Sequence, residues 1–151
     1  MDGVTPIRLA FGGVEATVPG TWRDITDEVE ADAPPYTLAD PDEGVGALQF
    51  SIAAYQGGAM PAPSREELRD MALGFGKERD CGKPFEERLF TDEFLRGAAM
   101  SFRREEDFLR VWYISDGWNV AFITYVCEWS EQDRELSVCE DIVKSVRFRS
   151  R

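Results

Sequence analysis

Two neighbouring segments in the second half of the chain set the strongest limit on its fold. Residues 108–114 and 119–129 are mainly apolar at both alternating positions, and Ser115-Asp116-Gly117-Trp118 separates them. Asp-Gly is a frequent centre of tight hairpin turns. A strand that is apolar on both faces needs protein above and below it. The pair therefore predicts the centre of an antiparallel sheet that is covered on both sides.

Weaker signals place further strands around this centre. Gly12-Gly13 lies between residues 7–11 and 14–18, which predicts an N-terminal hairpin. Small residues at 97–99 suggest a strand that an overlying helix approaches closely. The remaining strands are expected at residues 36–39, 47–55, 84–90 (at a sheet edge) and 94–104, with a short terminal strand that includes Phe148.

Two helices are predicted from capping patterns followed by apolar residues at helical spacing. Ser64 and Glu67 form a capping box, and the helix that follows is expected to stop before Asp80. Ser130 offers a second capping signal. The inward stripe of this last helix consists of Leu136, Cys139, Ile142 and Val143. The order of elements predicts an α+β chain, a three-layer α/β/α sandwich with a central, mainly antiparallel sheet flanked by helices.

The composition fits one globular domain spanning residues 1–151, and it is strongly acidic. The chain has 29 Asp and Glu and only 17 Lys and Arg, which gives a formal charge of −12. Such a surface repels nucleic acid and anionic membranes and attracts basic partners. The basic C-terminal residues are too few to change this. We therefore expect a protein partner, with no nucleic acid and no membrane.

The acidity is concentrated in one stretch. Residues 24–64 contain no Lys or Arg, and eight carboxylates fall within residues 24–43. These predicted partner-binding residues are Asp24, Asp27, Glu28, Glu30, Asp32, Asp40, Asp42 and Glu43. A docking surface for a basic protein is one interpretation, and a solvated acidic loop that only keeps the chain dissolved is the other.

Part of this stretch invites a metal interpretation. Asp40-Pro41-Asp42-Glu43-Gly44 alternates carboxylates before a glycine, as calcium loops do. It is too short for an EF-hand and lacks the closing Glu, so a turn between two strands is the better interpretation. No cofactor and no metal are predicted.

The residue types that are missing argue against an enzyme. There is no histidine, which excludes Ser-His and Cys-His nucleophile pairs and an imidazole base. Carboxylate pairs such as Asp24 with Asp27 or Glu105 with Asp107 remain, and spacing alone does not make them catalytic. A carboxylate enzyme stays open as the least favoured alternative.

Cysteine usage and the N-terminus indicate a cytoplasmic protein. Cys81, Cys127 and Cys139 contain no CxxC pair, so reduced thiols are expected, with a Cys127–Cys139 bridge as the alternative. Asp2 stands where a signal peptide would be basic, and the longest nearly unbroken apolar run is too short to cross a bilayer.

Two segments resemble the PsbP-like family of α/β/α sandwich proteins, which also has Mog-like and bacterial DcrB-like members. Residues 14–22 (VEATVPGTW) resemble its strand–Pro–x–x–Trp opening, and residues 142–148 (IVKSVRF) resemble its closing helix and tail. The resemblance covers nearly the whole chain in element order and implies a binding scaffold without catalytic machinery. Some bacterial members resemble adaptor chaperones of secreted toxins, and others resemble immunity proteins.

These observations favour a bacterial immunity protein that binds a cognate toxin through the acidic stretch. Trp118, just after the hairpin turn, is the aromatic residue most expected to be exposed at such an interface. An adaptor chaperone for a secreted effector, of the kind used in type VI-like secretion, is the alternative, and it would need a large exposed apolar patch. A homodimer is compatible with either function.

Overall fold

The computed structural model describes residues 5–30, 32–53, 57–58 and 61–149. The strands and α-helices within them are β1 (Ile7–Phe11), β2 (Val14–Val18), β3 (Arg23–Asp24), β4 (Tyr36–Ala39), β5 (Gly46–Ala53), α1 (Arg65–Glu78), β6 (Phe85–Thr91), β7 (Arg96–Arg104), β8 (Asp107–Ser115), β9 (Val120–Glu128), α2 (Gln132–Lys144) and β10 (Arg147–Phe148). Single 3₁₀ turns lie at Thr26–Glu28 and Trp129–Glu131.

The larger sheet has seven strands in the order β3-β4-β5-β9-β8-β7-β6, and every neighbouring pair is antiparallel. The predicted central hairpin is confirmed, because β8 and β9 pair from Asp107 with Glu128 to Ser115 with Val120. The predicted edge strand is also confirmed, since β6 ends the order. The α+β class follows from this sheet together with the two helices.

Residues on the two faces of this sheet belong to two separate hydrophobic clusters. On one face Met100 and Phe102 of β7 and Val111 of β8 pack with Ala72 of α1. On the other face, the cluster contains Trp112 of β8 and Cys139 of α2. Because neighbouring residues of a strand point to opposite faces, β8 alone shows that the helices contact different sides.

A second, three-stranded sheet shares the face that α2 covers. Its order is β1-β2-β10, and Val14, Ala16 and Val18 of β2 are fully buried against the main core. Ser145, which ends α2, accepts a hydrogen bond from the Thr17 amide at 2.8 Å. This contact holds the end of β2 close to the end of α2. The sequence predicts the strands of this sheet but not that they form a sheet of their own.

A buried ion pair fastens α2 to the sheet. Arg110 of β8 is only 4% exposed and its Nε lies 3.0 Å from Oε2 of Glu140. The other carboxylate oxygen of Glu140 accepts a bond from the Trp112 indole at 3.0 Å. Arg110 also donates to the Glu86 carbonyl and to the Ser101 hydroxyl. A buried charge that is bonded on several sides in this way fixes the position of the helix.

The prediction that β9 is buried on both faces is wrong. Ala121, Ile123 and Tyr125 are buried, but Phe122 is only half-buried and Val126 is 39% exposed. The reason is that α1 packs mainly over β6, β7 and β8 and reaches β9 only through the contact of Phe75 with Phe122. For β8 the same prediction is confirmed on both faces.

Only one of the two capping predictions is confirmed. The Ser64 hydroxyl accepts from the Glu67 amide at 3.0 Å, and the Glu67 carboxylate accepts from the Ser64 amide at 2.8 Å. Ser130 does not cap α2, because it lies inside the 3₁₀ turn and the helix begins at Gln132 without a side-chain cap bond. The Trp129 amide donates to the Glu106 carbonyl, which keeps this turn against the β7–β8 connection.

The close approach between α1 and the sheet occurs at a different glycine from the predicted one. A Cβ placed on Gly76 of α1 would lie 2.4 Å from the Phe102 ring. A Cβ on Gly97 would instead meet Phe90 and Ile114. Gly97 therefore makes room for a neighbouring ring, while Gly76 lets the helix approach.

Several predicted boundaries shift by a residue or two, and residues 54–55 of the predicted strand 47–55 lie outside the described residues. The three cysteines are free and buried, so Cys127 and Cys139 are not bridged. None of the helices in the described part of the chain is long and apolar enough to cross a membrane.

Candidate partner-binding site

The structure divides the acidic stretch into two groups, and the first lies along an edge of the large sheet. We call Asp24, Asp27, Glu28, Glu30 and Asp32 the edge carboxylates; all five are exposed. Within the described residues, none of them forms an ion pair. A row of exposed, unpaired carboxylates gives this edge a strong negative potential.

Asp24 positions the first part of this row. Its Oδ1 accepts bonds from the amide of Thr26 at 2.9 Å and from the Thr26 hydroxyl at 2.5 Å. The same hydroxyl accepts from the Thr37 amide of β4 at 2.9 Å. These bonds fasten the 3₁₀ turn to the edge of the sheet. Asp27 and Glu28 consequently project from a fixed backbone.

The second group, which we call the turn carboxylates, consists of Asp40, Asp42 and Glu43 in the connection from β4 to β5. Asp40 holds the turn, since its Oδ1 accepts from the amides of Asp42 and Glu43, each at 3.1 Å. Its Oδ2 accepts from the Thr21 hydroxyl at 3.1 Å. Asp42 and Glu43 are left exposed.

The environment of Asp40 stabilises its charged form. Partial burial raises the pKa of this carboxyl group. The bonds from the Glu43 and Asp42 amides and from Thr21, together with the charge of Arg23, lower the pKa by more than burial raises it, so it lies below its usual value. Both Asp40 oxygens accept hydrogen bonds, Oδ1 from the turn amides and Oδ2 from Thr21. Across the described residues no group of three or more Asp, Glu or Cys side chains has a geometry that could hold a metal ion.

A groove of about 560 Å³ separates the turn carboxylates from α2. Pro19, Thr21 and Trp22 form its third wall, and the Ser145 contact holds the end of β2, which precedes them, close to the end of α2. Arg134, Glu135 and Val138 of α2 complete the lining. Four carboxylates therefore surround the groove, and Arg134 is the single cation among the residues that line it.

Glu135 is the residue of this groove that sequence analysis missed. It is only 9% exposed, and its Oε1 accepts from the Tyr125 hydroxyl at 2.8 Å and from the Val45 amide at 3.1 Å. A signal for it exists. Glu135 precedes Cys139 by four residues and Ile142 by seven, which places a carboxylate on the inward apolar stripe of α2.

Trp118 lies at the opposite end of the large sheet from the turn carboxylates. It is half-buried in the loop between β8 and β9, where Asp116 accepts bonds from the amides of Trp118 and Asn119. In the pairing of β5 with β9, Ala53 stands opposite Val120 and Gly46 opposite Cys127. At about 3.4 Å per residue, the hairpin loop and the β4–β5 turn are therefore separated by about 24 Å. A partner that contacts both must span the length of the sheet.

The open face of β5 and β9 offers a second concave surface. A groove of about 330 Å³ there has an apolar floor that includes Phe75, Leu109 and Phe122. Gln49, Ser51 and Thr124 add polar groups, and Arg79 and Arg104 stand at its margin. Its lining is mixed and not continuously apolar.

The carboxylate pairs considered for catalysis show no enclosed site. Asp24, Asp27, Glu105 and Asp107 are all exposed, and the Glu105 pair belongs to the β7–β8 turn beside the ion pair of Arg103 with Glu106. Hydrolysis by two carboxyl groups needs them across a cleft from each other. Asp107 lines the groove on the open face of β5 and β9, but Glu105 does not, so the two carboxyl groups do not face each other across it.

Comparison with known proteins identifies the fold. The chain is similar to the solution structure of cyanobacterial PsbP (CyanoP) from Synechocystis sp. PCC 6803, with a TM-score of 0.65 and 10% sequence identity, over 96% of this chain and 93% of that one. No protein-family model and no curated protein sequence matches the chain. At this identity the likeness shows a PsbP-like α+β fold and nothing about function.

Proposed function

We propose that this chain is a non-catalytic protein-binding domain, and specifically an immunity protein whose acidic side receives a basic toxin and covers its substrate site. The observation that carries the proposal is the exposure of the predicted carboxylates and their lack of ion-pair partners. Seven of them are exposed, and none is ion-paired within the described residues.

Unpaired carboxylates on a fixed backbone suit charge-guided association. Exposed charges mainly raise the rate at which an oppositely charged partner is encountered, and they disfavour partners of the same sign. Asp24 lies on β3 and Asp27 and Glu28 on the 3₁₀ turn, while Glu30 and Asp32 follow in the connection to β4. The turn carboxylates are held by a turn that Asp40 closes.

The architecture fits this role as a rigid support. Since α1 and α2 pack on opposite faces of the large sheet, we describe the domain as a three-layer α/β/α sandwich. We place it in the cytoplasm, where its three buried free thiols would stay reduced. The partner would be a protein, and neither nucleic acid nor a membrane is part of the proposal.

The test is to express the proteins encoded by the neighbouring genes and to measure binding of any basic domain among them. The variant D27N/E28Q/E30Q/D32N removes four edge charges, and E66Q/D70N/E78Q/E93Q removes four exposed charges from α1 and the β6–β7 turn as the control. We expect the edge variant to weaken calorimetric affinity about tenfold or more at low salt, and the control to stay within about twofold. Equal affinities for the two variants would rule out the edge as a contact.

An adaptor chaperone is the second candidate, and the open face of β5 and β9 is the observation that favours it. Phe122 and Val126 leave apolar area uncovered there. Other exposed large apolar side chains are spread over separate places in the fold, such as Ile7, Met71 and Phe94. Binding of an isolated apolar effector segment, lost on V126D and unaffected by the edge variant, would favour this function over the first.

A further inference from the structure

The groove between the turn carboxylates and α2 is lined by a buried carboxylate, Glu135, that uses only one of its two oxygens in hydrogen bonds within the described residues. Only 9% of the surface of Glu135 is exposed to solvent. Buried carboxylates normally have both oxygens engaged, because an unpaired buried charge is costly. In this case the two oxygens have different surroundings.

Oε1 of Glu135 is held from two sides. The Tyr125 hydroxyl donates to it at 2.8 Å and the Val45 amide at 3.1 Å. Burial raises the pKa of Tyr125, and the bond to Glu135 raises it further, so the hydroxyl keeps its proton and remains a donor. These two contacts fix the plane of the carboxylate relative to β9 and to the β4–β5 turn.

Oε2 is in a different situation. Oε2 accepts no hydrogen bond from the described part of the chain, where both bonds to Glu135 go to Oε1. Every fully buried side-chain oxygen among these residues has a hydrogen-bond partner. Oε2 is therefore not fully buried, and it is reached from the groove that Glu135 lines. Gly44 leaves room for it, because a Cβ at that position would come within 2.9 Å of Oε2. Oε2 therefore lies beside Gly44, on the side chain that Glu135 contributes to the groove lining.

The nearest cation, Arg134, is shared among several carboxylates, because its charge interacts with Glu135 and Glu43 as well as with Glu131. Arg134 is the next residue in α2, but its guanidinium pairs with Glu131 at 2.8 Å. Asp42 and Glu43 stand across the groove and add negative charge at the rim. A metal ion is a poor occupant, since the described residues offer no group of three ligands. A single cationic side chain needs only one carboxylate and a negative surround.

We propose that this groove is the receptor for one cationic side chain, a guanidinium or ammonium group of the protein partner, which Glu135 binds through Oε2 while Asp42 and Glu43 flank it. This rests on the proposed function, and it names the point at which the basic partner is anchored. Tyr125 is a positioning residue, because it acts through Glu135.

The probe is a capped peptide, glycine and serine with one central arginine, and the readout is NMR titration of the Val45 amide and the Trp22 indole. Lysine replaces arginine in a second peptide, and citrulline, which has the same shape without the charge, replaces it in a third. We expect the first two to bind at the groove and the third to bind at least about tenfold more weakly. Equal binding of the citrulline peptide overturns the proposal.

Glu135→Gln tests the residue itself. An amide oxygen still accepts from Tyr125 and Val45, so the fold should be kept while the charge is lost. Asp133→Asn removes one charge from an exposed position of the same helix and is the matched control. We expect E135Q to weaken arginine-peptide binding about tenfold and D133N to leave it within about twofold. If E135Q binds like the unaltered protein, the proposal is wrong.

A second variant guards against loss of folding. D42N/E43Q changes only exposed rim residues, and an unchanged peptide affinity would also overturn the proposal. The same proteins separate this inference from the proposed function. If the toxin fragment binds and only the edge variant weakens its binding, the groove is not the anchoring point, and the proposed docking on the edge carboxylates is kept. If the arginine peptide binds through Glu135 but no basic protein binds, the groove does bind a cationic side chain, and the proposed immunity function is wrong.

Discussion

Gly74 and Gly76 lie two residues apart in α1, and their surroundings are opposite. A Cβ on Gly76 would lie within 2.4 Å of the buried Phe102 ring, whereas a Cβ on Gly74 would meet nothing within 4 Å. Glycine weakens a helix interior because it has more backbone freedom to lose than alanine. At Gly74 nothing offsets this cost, while at Gly76 the close contact between helix and sheet does.

We therefore expect opposite effects from two identical substitutions. Gly76→Ala should lower the free energy of unfolding by about 1–3 kcal/mol, because the closely packed Phe102 ring has little room to move. Gly74→Ala is the control and should raise it by about 0.5–1 kcal/mol. Urea unfolding followed by tryptophan fluorescence measures both. Stabilisation by G76A would mean that the helix does not approach the sheet through this glycine.

At the level of elements, the two capping patterns show when a local signal is sufficient. The Ser64 box needs only residues of its own first turn, and both of its bonds form. The Ser130 pattern competes with the tertiary contacts of Trp129, whose ring packs edge-on against Phe85 and lies 4.3 Å below the Arg103 guanidinium. These contacts keep residues 129–131 in a 3₁₀ turn, so the start of α2 shifts to Gln132.

The connection between β6 and β7 is closed by Asp92. Its Oδ1 accepts from the amides of Phe94 at 2.8 Å and Leu95 at 2.9 Å. Partial burial raises the pKa of Asp92, but these bonds and the charges of Arg147 and Lys144 lower it more, so the folded-state pKa is below the usual value. A depressed folded-state pKa means that the charged form stabilises the fold.

The expected pH dependence follows from that direction. The contribution of Asp92 is complete above its unfolded-state pKa of about 3.9, and it is lost as the pH falls through the lower folded-state pKa. The difference in unfolding free energy between the unaltered protein and D92N should therefore be positive near neutral pH and shrink on acidification. E93Q controls for the loss of one charge without touching the two amide bonds. A difference that grows as the pH falls would contradict the assignment.

For the whole molecule, the formal charge of −12 opposes folding through self-repulsion. The edge carboxylates add to this repulsion, because they have no ion-pair partner within the described residues. Six ion pairs are present there, and most are exposed. Exposed pairs contribute little to stability, so repulsion should dominate the response to salt.

Added salt should therefore stabilise this protein. Between about 20 and about 300 mM NaCl the Debye length shortens severalfold, so repulsion is screened and the melting temperature should rise. The edge variant D27N/E28Q/E30Q/D32N should melt higher at low salt and gain less from added salt. Thermal unfolding by circular dichroism measures both. A melting temperature that falls with salt would mean that the ion pairs outweigh the repulsion.

Much of the element order and part of the site are encoded locally in the sequence. The hairpin at Gly12-Gly13, the capping box at Ser64 and the paired strands β8 and β9 each depend on residues close together in the chain, and each is confirmed. The exposure of seven of the eight acidic residues also follows from their charge, since isolated carboxylates stay in water. Whether they contact a partner remains a prediction.

The sequence by itself determined the central hairpin, the α+β class and the acidic stretch, because period-two apolar patterns and local charge do not need distant contacts. Only the tertiary structure decided that α1 leaves β9 partly uncovered, that Trp118 lies at the other end of the sheet from the acidic turn, and that Glu135 meets Tyr125 and Val45. Val45 and Glu135 are 90 residues apart in the chain. Such a contact depends on how whole elements pack, and no local pattern specifies it.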